Sequence, residues 1–239
     1  MRLCVLSNSH GSSLKWAETE TKPVKGLKMR IFGAPASGLM QMAFDRDRRV
    51  FYTKNPKIAE MLRITSDGAD ELALDDYDAF LIHGLYFTVP RLDKRHSRAV
   101  REQTADSIVY SIVNQFVGLH LGRVLRAATD LPVFLSPDPL YADVGRERLP
   151  EPASLPTQPM DYEDVCGLMV ERIGNPGFHY VWQRSETMGP KLNTLVTYST
   201  GSKRLVNHEP HLRHDVRHMN GAYGRMVLED TKAAFYNLA

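Results

Sequence analysis

Ser9, Asp215 and His218 carry the side chains of a hydrolytic triad and stand near opposite ends of a 239-residue chain. Asp215-Val216-Arg217-His218 forms a D-x-x-H frame, with Asn220-Gly221 and Tyr223-Gly224 behind it as turn signals. On a tight loop that spacing lets the carboxylate accept the imidazole Nδ1–H and leaves Nε2 free to move a proton. Such a pair hydrolyses nothing without a nucleophile. The first apolar stretch ends on one, in Leu6-Ser7-Asn8-Ser9-His10-Gly11. A serine between a buried strand and a helix stands where backbone N–H groups face an incoming oxyanion. It becomes nucleophilic only beside a base that a carboxylate orients. Each half also has a plainer reading. Ser7, Ser9, Ser12 and Ser13 suit a helix start, and Asp215 suits a cap of the closing helix.

The same tract holds His208, His211, His214 and His218, and imidazoles at such spacings can bind zinc. Pro210 interrupts any regular helix there and no cysteine lies nearby, so the tract reads as polar loop and no metal is expected.

The elements that must position these groups follow from short apolar runs alternating with helical periodicity. Arg2 to Leu6 reads as a strand buried on both faces, and a helix is expected from Leu14. Lys28 to Phe32 predicts a second strand, Gly33 to Gly38 its exit loop, and Leu39 to Phe44 a Met-rich helix. Val50 to Thr53 predicts a small extra strand, and Pro56 to Leu62 a helix with proline in its first turn. Asp76 to Gly84 reads as acidic turn, buried strand and glycine loop. Val100 to Ala128 has the spacing of one amphipathic helix or two. Leu131 to Leu135 predicts another buried strand, ending in Pro137-x-Pro139, and Asp161 is placed to cap a helix running to Ile173. Phe178 to Gln183 reads as a strand or loop edge, Val196 to Tyr198 is ambiguous, and Arg225 to Phe235 predicts the closing helix. Leu149 to Met160 is proline-rich and reads as a surface loop or a flexible lid, the surface loop being the commoner case. This alternation predicts a three-layer α/β fold with a parallel sheet, in one domain spanning residues 1–239.

Composition narrows the function classes. Lys+Arg 30 against Asp+Glu 28 leaves a net charge of +2, too balanced for a nucleic-acid or acidic-membrane partner. No apolar run approaches the roughly 20 residues of a membrane helix. The chain enters a strand at once, so no signal peptide is expected. Cys4 and Cys166 form no disulfide framework, and a cytoplasmic location is expected.

Two blocks together bring a family into view. Ser7-Asn8-Ser9-His10 resembles the G-D-S block of the SGNH, or GDSL-like, hydrolases, with Ser9 in the nucleophile's place. Asp215-Val216-Arg217-His218 resembles that family's final D-x-x-H block, and the order of strands and helices between them is similar. The resemblance implies a flavodoxin-like sheet between helices, and ester or acyl hydrolysis by Ser9, His218 and Asp215 without a cofactor. It implies oxyanion donors in the Ser9 N–H and a glycine N–H after the second strand, Gly38 by position or Gly33 as the alternative. The sequence departs from the pattern twice. Ser7 and Asn8 replace the first block's glycine and aspartate, and Tyr86 in Gly84-Leu85-Tyr86-Phe87 replaces the third block's asparagine. A lost oxyanion donor costs about 3 kcal/mol of transition-state stabilisation. His83 and Asn114 are the substitutes the sequence offers.

The expected activity is hydrolysis of an ester or acetyl group on a small molecule or saccharide. Acyl transfer to a sugar hydroxyl at the same site is the alternative. So is a non-catalytic binding protein that has lost the third block. Tyr86, Phe87, Tyr180 and Trp182 have the chemistry of an apolar or sugar-stacking wall, as well as of core. The inserts Asp45 to Leu74 and Leu140 to Asp161 are expected to shape the pocket. Neither the substrate nor the oligomeric state follows from these residues.

Overall fold

Leu3 and Val5 face one way from the first strand and Cys4 and Leu6 the other, and all four are buried. A strand with no wet face must lie inside a sheet covered on both sides. The computed structural model has that architecture. It describes residues 1–89, 107, 109–111, 113–143, 161–174, 177–190 and 192–238. In chain order the elements are β1 (Arg2–Ser7), α1 (Gly11–Glu20), β2 (Lys28–Gly33), α2 (Ala36–Leu39), β3 (Ala43–Asp45), β4 (Val50–Tyr52) and α3 (Pro56–Thr65). Then come β5 (Leu72–Ala73), β6 (Ala79–His83), α4 (Val117–Ala128), β7 (Val133–Ser136), α5 (Tyr162–Ile173), β8 (Phe178–Tyr180), β9 (Met188–Gly189), β10 (Asn193–Thr194) and α6 (Gly221–Tyr236).

Among the described residues five strands form the central sheet in the order β2-β1-β6-β7-β8, and every pairing is parallel. Leu3, Val5, Ile31, Leu81 and Phe134 pack on one face beneath Leu14 and Ala17 of α1 and Tyr223, Val227 and Leu228 of α6. Cys4, Leu6, Phe32, Ile82 and Leu135 pack on the other face, with Leu62 of α3, Leu125 of α4 and Met169 of α5. The result is an α/β/α sandwich. The chain leaves β1 toward β2 on one side and β6 lies on the other, so β1 and β6 flank the point where strand order reverses. Open parallel sheets bind ligands at the C-terminal ends of strands at such a point. Ser7 pairs with His83 there, and His83 with Ser136, so three loops leave the sheet side by side.

Three boundaries differ from the sequence reading. The first helix starts at Gly11, directly after the Ser9 turn. The Met-rich stretch 39–44 is only briefly helical. Ala43–Asp45 pairs antiparallel with Val50–Tyr52, and the Phe44 and Phe51 rings meet at 4.8 Å. The closing helix begins at Gly221, because Asn220 caps it, its side chain accepting from Ala222 N at 3.1 Å and Tyr223 N at 3.3 Å. Gly221 and Gly224 are therefore helical residues and not turns.

Those two glycines bring the chain ends together. A Cβ at Gly221 would lie 2.7 Å from the Trp16 carbonyl oxygen, and one at Gly224 would fall inside the Ser13 carbonyl group. Only glycine lets α6 lie this close to the backbone of α1. The loop from 149 to 160 lies outside the described residues, as do Ile108 and Ile112 of the long periodic stretch. Among the described residues no helix is long and apolar enough to cross a membrane.

Candidate active site

The turn after β1 is held from below and within. Ser7 Oγ donates to the His83 carbonyl at 2.8 Å, which fixes the strand end. Asn8 Oδ1 accepts from His10 N at 3.1 Å, and Gly11 N donates to Asn8 O at 3.1 Å. Asn8 thus closes the turn that lifts Ser9 out of the sheet, and Ser9 is exposed at its apex. The Ser9 N–H has no acceptor among the described residues, so it is available to an oxyanion.

The D-x-x-H segment reaches this turn from the other end of the chain. Val216 O accepts from Ala142 N at 2.7 Å, which ties the segment to the loop after β7. Asn220 Nδ2 donates to the carbonyls of Thr197 at 2.8 Å and Thr200 at 3.0 Å. Asp215 Oδ1 accepts from the backbone N–H groups of Arg217 at 2.8 Å and His218 at 2.9 Å. Its Oδ2 faces His218 Nδ1 at 2.9 Å, and His218 Nε2 faces Ser9 Oγ at 2.9 Å. Burial alone would raise the Asp215 pKa. The hydrogen bonds from the His218 side chain and from the two backbone N–H groups outweigh it and hold the carboxyl below its usual range. Asp215 is therefore ionised at neutral pH, as the orienting member of a triad must be. The three residues singled out in the sequence meet in one hydrogen-bonded line.

The two glycines proposed as oxyanion donors do not meet it. Gly33 N–H donates to Thr65 Oγ1 at 2.8 Å, and Gly38 N–H donates to the Pro35 carbonyl at 2.7 Å inside the short α2 turn. Both donors are engaged within the protein, so as they stand neither is offered to a substrate. Asn114 is exposed, and His83 is fully buried with Nδ1 on Ser136 Oγ at 3.1 Å.

The loop after β6 has an unusual backbone. Gly84, Leu85 and Tyr86 have φ of 76°, 61° and 69°, three consecutive left-handed residues. Gly84 has to be glycine for a second reason, since a Cβ there would lie 2.8 Å from Asp138 Oδ1 and 3.0 Å from Asn8 Oδ1. For Leu85 and Tyr86 the conformation costs about 1–2 kcal/mol each. Strain of this kind persists where the surroundings impose it, and it clusters at functional sites. Leu85 is anchored by full burial, while Tyr86 is 56% exposed. Asparagine tolerates this region far better than tyrosine. The Tyr86→Asn variant is therefore expected to gain about 1 kcal/mol in urea unfolding. A stability loss would show that the Tyr86 ring holds the loop. Phe87 is core, stacked on Phe116 at 4.5 Å, while Tyr180 and Trp182 stack on each other at 5.3 Å, partly buried against the same cluster.

Three residues beside the triad carried too little sequence signal to be chosen. His10, next to Ser9, lies with its ring 5.3 Å from that of His218. Its Nε2 is 3.3 Å from Asp138 Oδ1, close but not aligned as a hydrogen bond, and Asp138 Oδ2 accepts from Thr88 Oγ1 at 3.1 Å. Adjacency to Ser9 was the available clue for His10, and the loop after β7 for Asp138. His211 is the third: its Nδ1 lies 3.4 Å from Asp215 Oδ2. His214 is exposed, and His208 packs edge-on against Trp16 at 5.1 Å. His211, Asp215 and His218 do bring three candidate ligand atoms within 4.8 Å of one another. Yet the two imidazole planes lie 4° from parallel, so their nitrogens do not aim at a common point between them.

The buried histidines set an acid limit. Burial, and secondarily the nearby His10, push the His83 pKa down to about 3 from 6.5. Burial likewise lowers His10, only partly offset by Asp138. Above pH 6.5 both folded and unfolded states are neutral at His83 and nothing is lost. Below it the unfolded chain binds a proton that the fold refuses. Stability should then fall by roughly 1.4 kcal/mol per pH unit from this residue alone, about 2 kcal/mol by pH 5. Urea unfolding at pH 7, 6 and 5 measures the slope, and His83→Gln should lower it by about one proton.

No protein-family model matches the chain, and no curated protein is significantly similar to it. A solved crystal structure aligns over 100% of this chain and 97% of its own length, at 15% identity and a TM-score of 0.40. At that distance it carries no argument about the site, which rests on its own geometry.

Proposed function

We propose that the protein is a serine hydrolase of the SGNH type, cleaving an ester or acetyl group from a small molecule or saccharide. The observation that carries this reading is the line Asp215 Oδ2–His218 Nδ1 and His218 Nε2–Ser9 Oγ, with both contacts at 2.9 Å. In the reaction Ser9 Oγ attacks the carbonyl carbon while His218 Nε2 takes the hydroxyl proton. The ionised Asp215 stabilises the imidazolium, and the Ser9 N–H donates to the oxyanion. His218 then returns the proton to the leaving alcohol as the C–O bond breaks, leaving an acyl-Ser9 ester. Water, deprotonated by His218, releases the acid and restores the serine.

Nothing in this chemistry calls for a metal or organic cofactor. Free, buried Cys4 and Cys166 suit a reducing compartment, consistent with the cytoplasm. A fluorophosphonate probe tests the reading, because only an activated serine forms the covalent adduct. Labelling is expected at Ser9 alone, as read by peptide mass spectrometry. An unlabelled Ser9 would favour a binding protein that keeps the fold without the chemistry.

A further inference from the structure

We propose that His211 is a positioning residue of the triad, a second imidazole that shares the carboxylate of the base and fixes its plane by stacking. This rests on the triad reading above and extends it to a residue that acts through His218 and Asp215. The His211 and His218 rings lie face to face, with centroids 3.9 Å apart and planes 4° from parallel. His211 Nδ1 lies 3.4 Å from Asp215 Oδ2, in ion-pair range without the alignment of a hydrogen bond, and His218 Nδ1 approaches the same oxygen at 2.9 Å. The His211 side chain is 10% exposed, and its Nε2 is buried without a hydrogen-bond partner among the described residues. A histidine serving only as polar surface would turn that nitrogen to water. Leaving it dry costs about 1–3 kcal/mol, so the ring is held there against its own solvation. The backbone holds it: His211 N–H donates to Ser202 O at 2.9 Å.

The arrangement does two things for the base. The stacked ring blocks rotation of His218 out of the plane that aims Nε2 at Ser9. One carboxylate also faces two imidazoles, and two stacked imidazolium ions at this separation repel. Burial, followed by His218 itself, lowers the His211 pKa; Asp215 opposes this, while Arg204 and His10 add to it. His10 brings Asp138 and Arg217 into the same field. His211 therefore stays neutral while His218 receives the serine proton. His211 Nδ1 also stands beside the Asp215 oxygen that orients His218.

Two variants separate these effects. His211→Phe keeps a stacked, buried ring and removes the polar Nδ1 beside Asp215, and His211→Ala removes both. The first readout is the low-field proton NMR signal of the His218 Nδ1–H in its bond to Asp215. The second is the pH profile of fluorophosphonate labelling at Ser9. In His211→Phe the signal should persist at a changed position. The ratio of labelling at pH 6 to labelling at pH 8, which reads the acid limb, should fall by about threefold or more. In His211→Ala the signal should broaden, and kcat for an ester should fall about tenfold at unchanged KM. An unchanged signal and an unchanged acid limb in His211→Phe would overturn the proposal, even if His211→Ala fails to fold. So would a wild-type protein with no low-field signal. Failure of the hydrolase reading looks different: Ser9 would stay unlabelled while the signal remained present and still responded to His211→Phe.

Discussion

The Ser9→Ala variant should lose at least about 10⁴-fold in kcat on p-nitrophenyl acetate while unfolding in urea as the wild type does. The size of the loss follows from the arrangement. Among the described residues Ser9 Oγ is the one group to which His218 Nε2 is aligned, and on the proposed reading His218 and Asp215 have nothing to activate without it. What would remain is catalysis by the backbone N–H and by substrate binding. Stability should barely change, because Ser9 is exposed at a turn closed by Asn8 and Gly11 and not by its own side chain. Asp215→Asn gives the companion result. An amide at this position no longer matches the Nδ1–H of His218 and favours the wrong tautomer, a loss of about 10⁴-fold elsewhere. Steady-state kinetics measure both, and equal activity in wild type and Ser9→Ala would end the assignment of the nucleophile.

Gly224→Ala is expected to have the largest effect of any substitution away from the triad. A methyl group at this position would occupy the space of the Ser13 carbonyl, which is backbone and cannot rotate aside. Helix α6 would have to move off α1, at a cost of about 3 kcal/mol. The same shift pulls Ser9 from His218. Ser9 lies two residues before α1 and His218 three before α6, so their 2.9 Å contact depends on how the helices seat. A misplacement of about 1 Å at a reacting centre costs roughly 10²-fold, so activity should fall by at least that factor in whatever protein remains folded. Gly167→Ala in α5 is the control. No atom of the described residues lies within 4 Å of its would-be Cβ, so it should be neutral or gain up to about 1 kcal/mol from helix propensity. Urea unfolding and ester turnover on both variants decide the matter. A stable, fully active Gly224→Ala protein would show that something other than this close approach joins the chain ends.

Much of this molecule is written locally in its sequence. Leu-Cys-Val-Leu at 3–6 can be buried on both faces only inside a covered sheet, and its alternate residues do pack on opposite sides. The D-x-x-H frame is equally local. Four residues suffice for a carboxylate to reach the imidazole three positions on, and Asp215 does so while accepting two backbone N–H groups. Glycine patterns mislead for the same reason. Asn220-Gly221 and Tyr223-Gly224 look like turns to a local reading, but a glycine that spares a neighbouring helix from collision is defined by atoms some 200 residues away.

What the tertiary structure alone decided are the relations across the chain. It seats His218 on Ser9 through the α1–α6 packing, and it engages the N–H groups of Gly33 and Gly38 with Thr65 and Pro35. It turns Gly84, Leu85 and Tyr86 left-handed beneath Asp138, and from a tract of four histidines it brings His211 onto the base. Hydrophobic periodicity and residue spacing encode which way a side chain faces and which near neighbour it can reach. They carry no information on which distant backbone satisfies a donor or which ring stacks on which, because those depend on how whole elements pack.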